Sequence, residues 1–183
     1  MYPFAVRGVV ATVLIVTAAI AGVAHGANTP SLDRSGVSFD VPSGWSLTNG
    51  RINGVIDPVT VFTLSTHPLV KGSDLSLGPA AGMCSAVLQR AWRSDFAYVQ
   101  LTEERDGASR RTMLRRVPLR PRHFALRANG AGGLCTPADS GQMTFQQGGR
   151  AFYIHYGFGP MASQAKRARA AALLDGLRIT PRR

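Results

Sequence analysis

The sequence predicts an α+β fold, a mainly antiparallel sheet covered by helices. Three observations predict it. Val37, Phe39 and Val41 alternate with Ser38 and Asp40, the period-2 pattern of a half-buried strand. Met143 to Phe158 reads as two strands joined by Gly148-Gly149. Ala80, Met83, Cys84, Val87, Leu88, Ala91 and Trp92 fall on one stripe of a 3.6-residue helix, which needs a sheet to lie on.

Composition sets the outer bounds. The chain has 183 residues, of which 45% are apolar, enough for one globular domain and too many for a disordered polyelectrolyte. Its formal net charge is +11, and 19 of its 21 basic residues are arginine. That bias runs throughout the chain. It fits an Arg-rich genomic composition better than selection for bidentate binding of carboxylate or phosphate.

The first segment reads as an address. Val9 to Ala24 carries no charge and, as a helix, spans about 24 Å, short of the roughly 30 Å of bilayer hydrocarbon. Ala24-His25-Gly26 offers small residues where a signal peptidase reads, so cleavage is expected between Gly26 and Ala27. Residues 1–26 are then a signal peptide, and the protein is secreted or extracytoplasmic. The alternative is an uncleaved N-terminal membrane anchor. Loss of this segment removes one basic residue, Arg7, and takes the charge from +11 to +10.

A polar lead-in over 27–36 precedes a single domain over 37–181. After the 37–41 strand, Pro42-Ser43-Gly44 turns the chain into Trp45, and Asn49-Gly50 and Asn53-Gly54 mark further turns. Val59 to Thr66 is rich in β-branched residues and reads as a strand ending at His67-Pro68. Residues 71–78 read as a loop. The helix follows over 79–93, with Pro79 suited to its first position. Phe96 to Thr102 reads as a strand and Glu103 to Ser109 as a charged, solvated turn. Residues 111–119 and 122–128 read as weaker strands, interrupted by Pro118 and Pro121, that lie at an edge or contain a bulge. The segment 129–141 is too glycine-rich for a regular element. In the closing hairpin Phe145 is expected to face Phe152, and Met143 to face Ile154. A helix over 164–175, capped by Ser163 and stopped by Gly176, leads to a short strand around Leu177 to Thr180.

Two stretches resemble a known family. Val37-Ser-Phe-Asp-Val-Pro-Ser-Gly-Trp45 resembles the opening strand and turn of PsbP-like (Mog-type) domains, and Leu173-Leu-Asp-Gly-Leu-Arg-Ile179 is similar to their closing helix and strand. The resemblance covers roughly a tenth of the chain. It implies an α/β/α sandwich around an antiparallel sheet and carries over no functional residue.

Chemical motifs are sparse. Cys84, on the apolar helix stripe, and Cys135, in the Gly-rich segment, are expected to pair in an oxidising compartment. Closing that loop would contribute about 4 kcal/mol in the chain-entropy model. Two buried free thiols are the alternative. No nucleophile elbow, phosphate loop or metal-ligand spacing is present, so no catalytic, cofactor-binding or metal residue is assigned. His67 reads as solvated beside Pro68, and His155 reads as packed or capped on its strand. A cleft holding His123 or His155 beside a carboxylate would favour an enzyme.

Charge is the remaining signal. From Arg105 to Arg127 eight arginines stand against one acid, Asp106. Arg110, Arg115, Arg116, Arg120 and Arg122 form the candidate anion site; on strands their alternation would split them between two faces. An Arg-rich solvated edge that discourages aggregation is the competing reading. The expected function is a non-enzymatic extracytoplasmic binding or accessory domain. Two alternatives stand beside it: an anion-binding protein acting on wall polymer or phospholipid head groups, and an enzyme whose site only the fold assembles. Nucleic acid is disfavoured, because no aromatic residues interleave with the arginines for base stacking.

Overall fold

Alternating apolar side chains and tight glycine turns build two antiparallel sheets. A computed structural model of the chain describes residues 31–48, 58–69, 95–128 and 139–182. The first sheet contains β1 (Ser31–Arg34), β2 (Val37–Asp40) and β8 (Arg178–Ile179), in the order β1-β2-β8. The second contains β3 (Ser46–Thr48), β4 (Val59–Ser65), β5 (Ala97–Glu104), β6 (Ser140–Gln147) and β7 (Arg150–Phe158), in the order β3-β4-β5-β7-β6. Two helices are described, α1 (Gly107–Arg116) and α2 (Gln164–Asp175). The α+β class expected from sequence holds at this level. None of the described helices is long and apolar enough to cross a membrane.

One face of the large sheet is apolar, and the core lies against it. Phe62, Leu64, Val99, Leu101, Phe152 and Ile154 are buried there. Phe39 from β2 meets Phe62 with ring centroids 4.3 Å apart, so the small sheet packs on the large one. Ala170, Leu173 and Leu174 bring α2 into the same core. The closing hairpin has the expected register, Phe145 opposite Phe152 and Met143 opposite Ile154. Its turn needs both glycines left-handed, at φ 59° and 71°. At Gly148 a Cβ would also lie 2.9 Å from Pro181 Cα. The helix at the C-terminus has the expected ends: Ser163 Oγ accepts from Lys166 N, and Gly176 closes it.

Four expectations are corrected. Part of the polar lead-in forms β1, which turns through Ser35 and Gly36, both at positive φ, into β2. Ser140 and Gly141, read within an irregular segment, belong to β6. Glu103 and Glu104 are not in a solvated turn; they end β5 and are 1% and 6% exposed. Cross-strand arginine pairing makes that burial tolerable for Glu103.

The fourth correction is the largest. Residues expected to begin an edge strand at 111 form the helix α1 over 107–116. Asp106 supplies its N-cap, and Met113, Leu114 and the arginines are good helix formers. Residues 122–128 form no strand either; nearby, Leu119 makes only an isolated parallel bridge to Gln146. Several expectations lie outside the described residues: the signal peptide, the 49–50 and 53–54 turns, the 71–78 loop, the 79–93 helix and the Cys84–Cys135 pair.

Candidate functional site

The arginines expected to share an edge are divided by the fold between an exposed helix and a structural clasp. Helix α1 starts where the Asp106 side chain accepts from Ala108 N at 3.1 Å and Ser109 N at 2.8 Å. These hydrogen bonds, Ser109's foremost, and the nearby Arg111 hold the Asp106 carboxyl below its usual range. At the other end, Gln146 Nε2 donates to the carbonyls of Leu114 at 2.9 Å and Val117 at 2.8 Å. Caps thus fix both ends of the helix, which also lies against β7 with Met113 and Leu114 half-buried and none of its residues fully buried.

Four arginines decorate that helix, and no acid lies within it. Arg111 and Arg115 are four apart and share one face, with Arg110 and Arg116 about 100° to either side. Arg111, Arg115 and Arg116 are exposed, whereas Arg110 is half-buried. None of the four forms an ion pair among the described residues. Arg115 and Arg116 occupy the last turn, where cations complement the helix dipole.

Arg120 is a different case, and its assignment to the anion site is corrected. Its Nη1 donates to Leu177 O at 2.7 Å and Gln147 Oε1 at 3.0 Å. Its Nη2 donates to Leu174 O at 2.7 Å and Asp175 O at 2.8 Å. The guanidinium thus satisfies carbonyls that α2 leaves open at its C-terminus. With four donors engaged, little remains for an external anion. Arg122 stays exposed and, with Arg120, Gln147 and Asp175, lines an open cavity of about 470 Å³.

The anion site expected from sequence does not include Arg111, although on the helix Arg111 stands one turn from Arg115. The i, i+4 spacing of Arg111 and Arg115 after a capping Asp106 was the signal that could have included it. Cys84 and Cys135 lie outside the described residues, so the expected disulfide has no geometry here.

The histidines have separate surroundings. His123 Nδ1 lies 3.2 Å from Asp175 Oδ2, while Asp175 Oδ1 accepts from Phe124 N at 2.8 Å. His67 is half-buried rather than solvated: its Nε2 lies 3.1 Å from Asp95 Oδ1, and its ring stacks on Phe96. Lys166 Nζ grips the other oxygen of Asp95 at 2.8 Å. The Lys166 and His67 hydrogen bonds hold that carboxyl down at about 2.

His155 belongs to a polar row crossing the second face of the large sheet, in register with Thr63, Gln100 and Gln142. It stacks on Tyr153, and burial pushes its imidazolium to a lower pKa. In that face Thr63 Oγ1, Gln100 Nε2 and Thr102 Oγ1 are buried and have no hydrogen-bond partner among the described residues. Among the described residues no three His, Cys, Asp or Glu side chains converge as metal ligands. No family model, characterised protein or solved structure matches the chain.

Proposed function

We propose that this chain is a non-enzymatic extracytoplasmic binding domain that uses α1 to hold an anionic component of the cell envelope. Wall polymer and phospholipid head groups both offer the chemistry required. A PsbP-like α/β/α sandwich is the scaffold proposed for it, on the resemblance at the two ends of the domain. The uncharged run from Val9 to Ala24 supports an extracytoplasmic location.

One observation carries the reading. Arg111, Arg115 and Arg116 are exposed on a helix that fully buries none of its residues, with Arg110 half-buried beside them, and none of the four forms an ion pair among the described residues. The helix lies against β7 with Met113 and Leu114 half-buried, and this packing leaves Arg111, Arg115 and Arg116 in solvent. An anionic surface would supply its counter-charges, with each cation near the surface contributing about 1 kcal/mol.

Co-sedimentation with vesicles tests this. The protein should pellet with phosphatidylglycerol vesicles or with an anionic wall polymer at low salt, and leave neutral phosphatidylcholine vesicles unbound. Equal binding to both vesicle types would refute the reading.

The pairing of His123 with Asp175 favours a second reading, an enzyme whose site the fold assembles. That carboxylate already fastens the chain at Phe124, and His123 is 77% exposed. Turnover of ester or phosphoester substrates that His123→Gln abolishes would establish the second reading.

A further inference from the structure

The surface just past α1 presents an apolar side chain to water. Leu119 is 75% exposed, and Met161, at 72%, is the other large apolar side chain left in solvent among the described residues. Leu119 stands among arginines. Arg115 and Arg116 precede it by four and three residues, and Arg122 follows it by three. Arg122 is exposed, forms no ion pair among the described residues, and lines the same open cavity as Leu119. Gln146 holds these pieces together: its side chain closes α1 through the carbonyls of Leu114 and Val117, and its backbone pairs with Leu119.

That pairing fixes the backbone that carries the leucine. Gln146 N donates to Pro118 O at 2.9 Å, and Arg120 N donates to Gln146 O at 3.0 Å. Pro118 and Pro121, on either side of Leu119 and Arg120, restrict φ further. The exposed leucine therefore sits on chain that is already ordered, so contact with a partner costs little backbone entropy.

From this juxtaposition we infer that Leu119 enters an anionic phospholipid bilayer, at the boundary between head groups and acyl chains, while Arg115, Arg116 and Arg122 bind the lipid phosphates around it. This contact rests on the reading of α1 as the binding surface and narrows its two ligand sources to one. Planar guanidinium groups suit phosphate oxygens, and their apolar stems can lie along the boundary while the charged heads stay among the phosphates. A hydrated wall polymer would satisfy the arginines equally well. It offers no apolar layer for the leucine, whereas an interfacial protein gains from both terms at once.

Binding of the full chain to phosphatidylglycerol vesicles and to polyphosphate, a soluble polyanion without an apolar layer, tests this. Leu119→Ser should bind the vesicles about tenfold more weakly, with the parent's salt dependence and a thermal midpoint near the parent's. Polyphosphate should bind parent and variant alike. Met161→Ser should bind vesicles like the parent, because Met161 precedes the start of α2 whereas Arg120, next to Leu119, is bound at its far end, about 18 Å away. Leu119→Trp adds an indole to the parent's two tryptophans; its emission should shift to the blue on vesicle binding and be quenched by lipids brominated in their acyl chains. Salt-sensitive vesicle binding that Leu119→Ser leaves intact, or an added indole that stays wet, would overturn the leucine contact and leave the α1 reading standing. An equal loss of polyphosphate binding in Leu119→Ser, or a dimer of the parent that this substitution abolishes, would also overturn it. A parent that does not bind the vesicles at low salt would overturn the leucine contact together with a lipid role for α1.

Discussion

Arg150 on β7 and Glu103 at the end of β5 form a doubly hydrogen-bonded ion pair, 4% and 1% exposed at their side chains. They lie diagonally across neighbouring strands, because Glu103 is in register with Phe152 and Arg150 is two residues before it. Through Ser35, Gly36 and Thr180, the same guanidinium also ties the β1–β2 turn and the end of β8 to the large sheet. One side chain thus joins the two sheets at a point where a lone buried charge would be costly.

Removing either partner should therefore cost more than deleting an exposed pair. Glu103→Gln or Arg150→Met is expected to destabilise the fold by about 3–5 kcal/mol, because each strands a buried charge or its hydrogen bonds. The double variant should lose less than the sum of the two. Denaturant midpoints of the three variants check this.

Arg120→Met isolates structural from functional arginine. It releases the carbonyls of Leu174, Asp175 and Leu177 and should cost about 1–3 kcal/mol. Binding to anionic vesicles should stay at the parent level. A vesicle defect without a stability defect would return Arg120 to the anion site.

Thr63→Val should behave in the opposite sense. The hydroxyl is fully buried and has no partner among the described residues, and valine keeps the branched shape suited to β4. A gain of about 1 kcal/mol in unfolding free energy is expected from urea titration.

Stability should also fall with acid through His155. Burial lowers its folded pKa below 6.5, so the unfolded chain takes up the proton first as pH drops. The stability it contributes is full above the unfolded value and is lost as pH falls through 6.5 toward the folded value. His155→Gln should flatten the decline in thermal midpoint between pH 7.5 and 5. The lowered carboxyls of Asp95 and Glu103 lose their contribution at more acidic pH, that of Asp95 as pH falls toward about 2.

The parts of the fold legible in the sequence are those set by local chemistry. The Gly148-Gly149 turn fixed a hairpin register to the residue, and Ser163 and Gly176 bounded α2. The misreadings came from non-local partners. Nothing adjacent to Glu103 in sequence shows that Arg150, on another strand, will neutralise it. Nothing adjacent to Arg120 shows that carbonyls more than fifty residues later will consume its donors. The α1 error differs, because its signals were local. Asp106 as a cap and Pro118 as a stop were both present, but Pro118 was read as an edge-strand interruption.

The salt dependence of binding to phosphatidylglycerol vesicles, compared between the parent and Arg111→Ser/Arg115→Ser/Arg116→Ser, addresses the α1 proposal most directly. The parent should bind progressively more weakly as ionic strength rises, and the triple variant should bind about two orders of magnitude more weakly at low salt with a shallower dependence. A triple variant that retains the parent's affinity and slope would contradict the assignment of α1 as the binding surface.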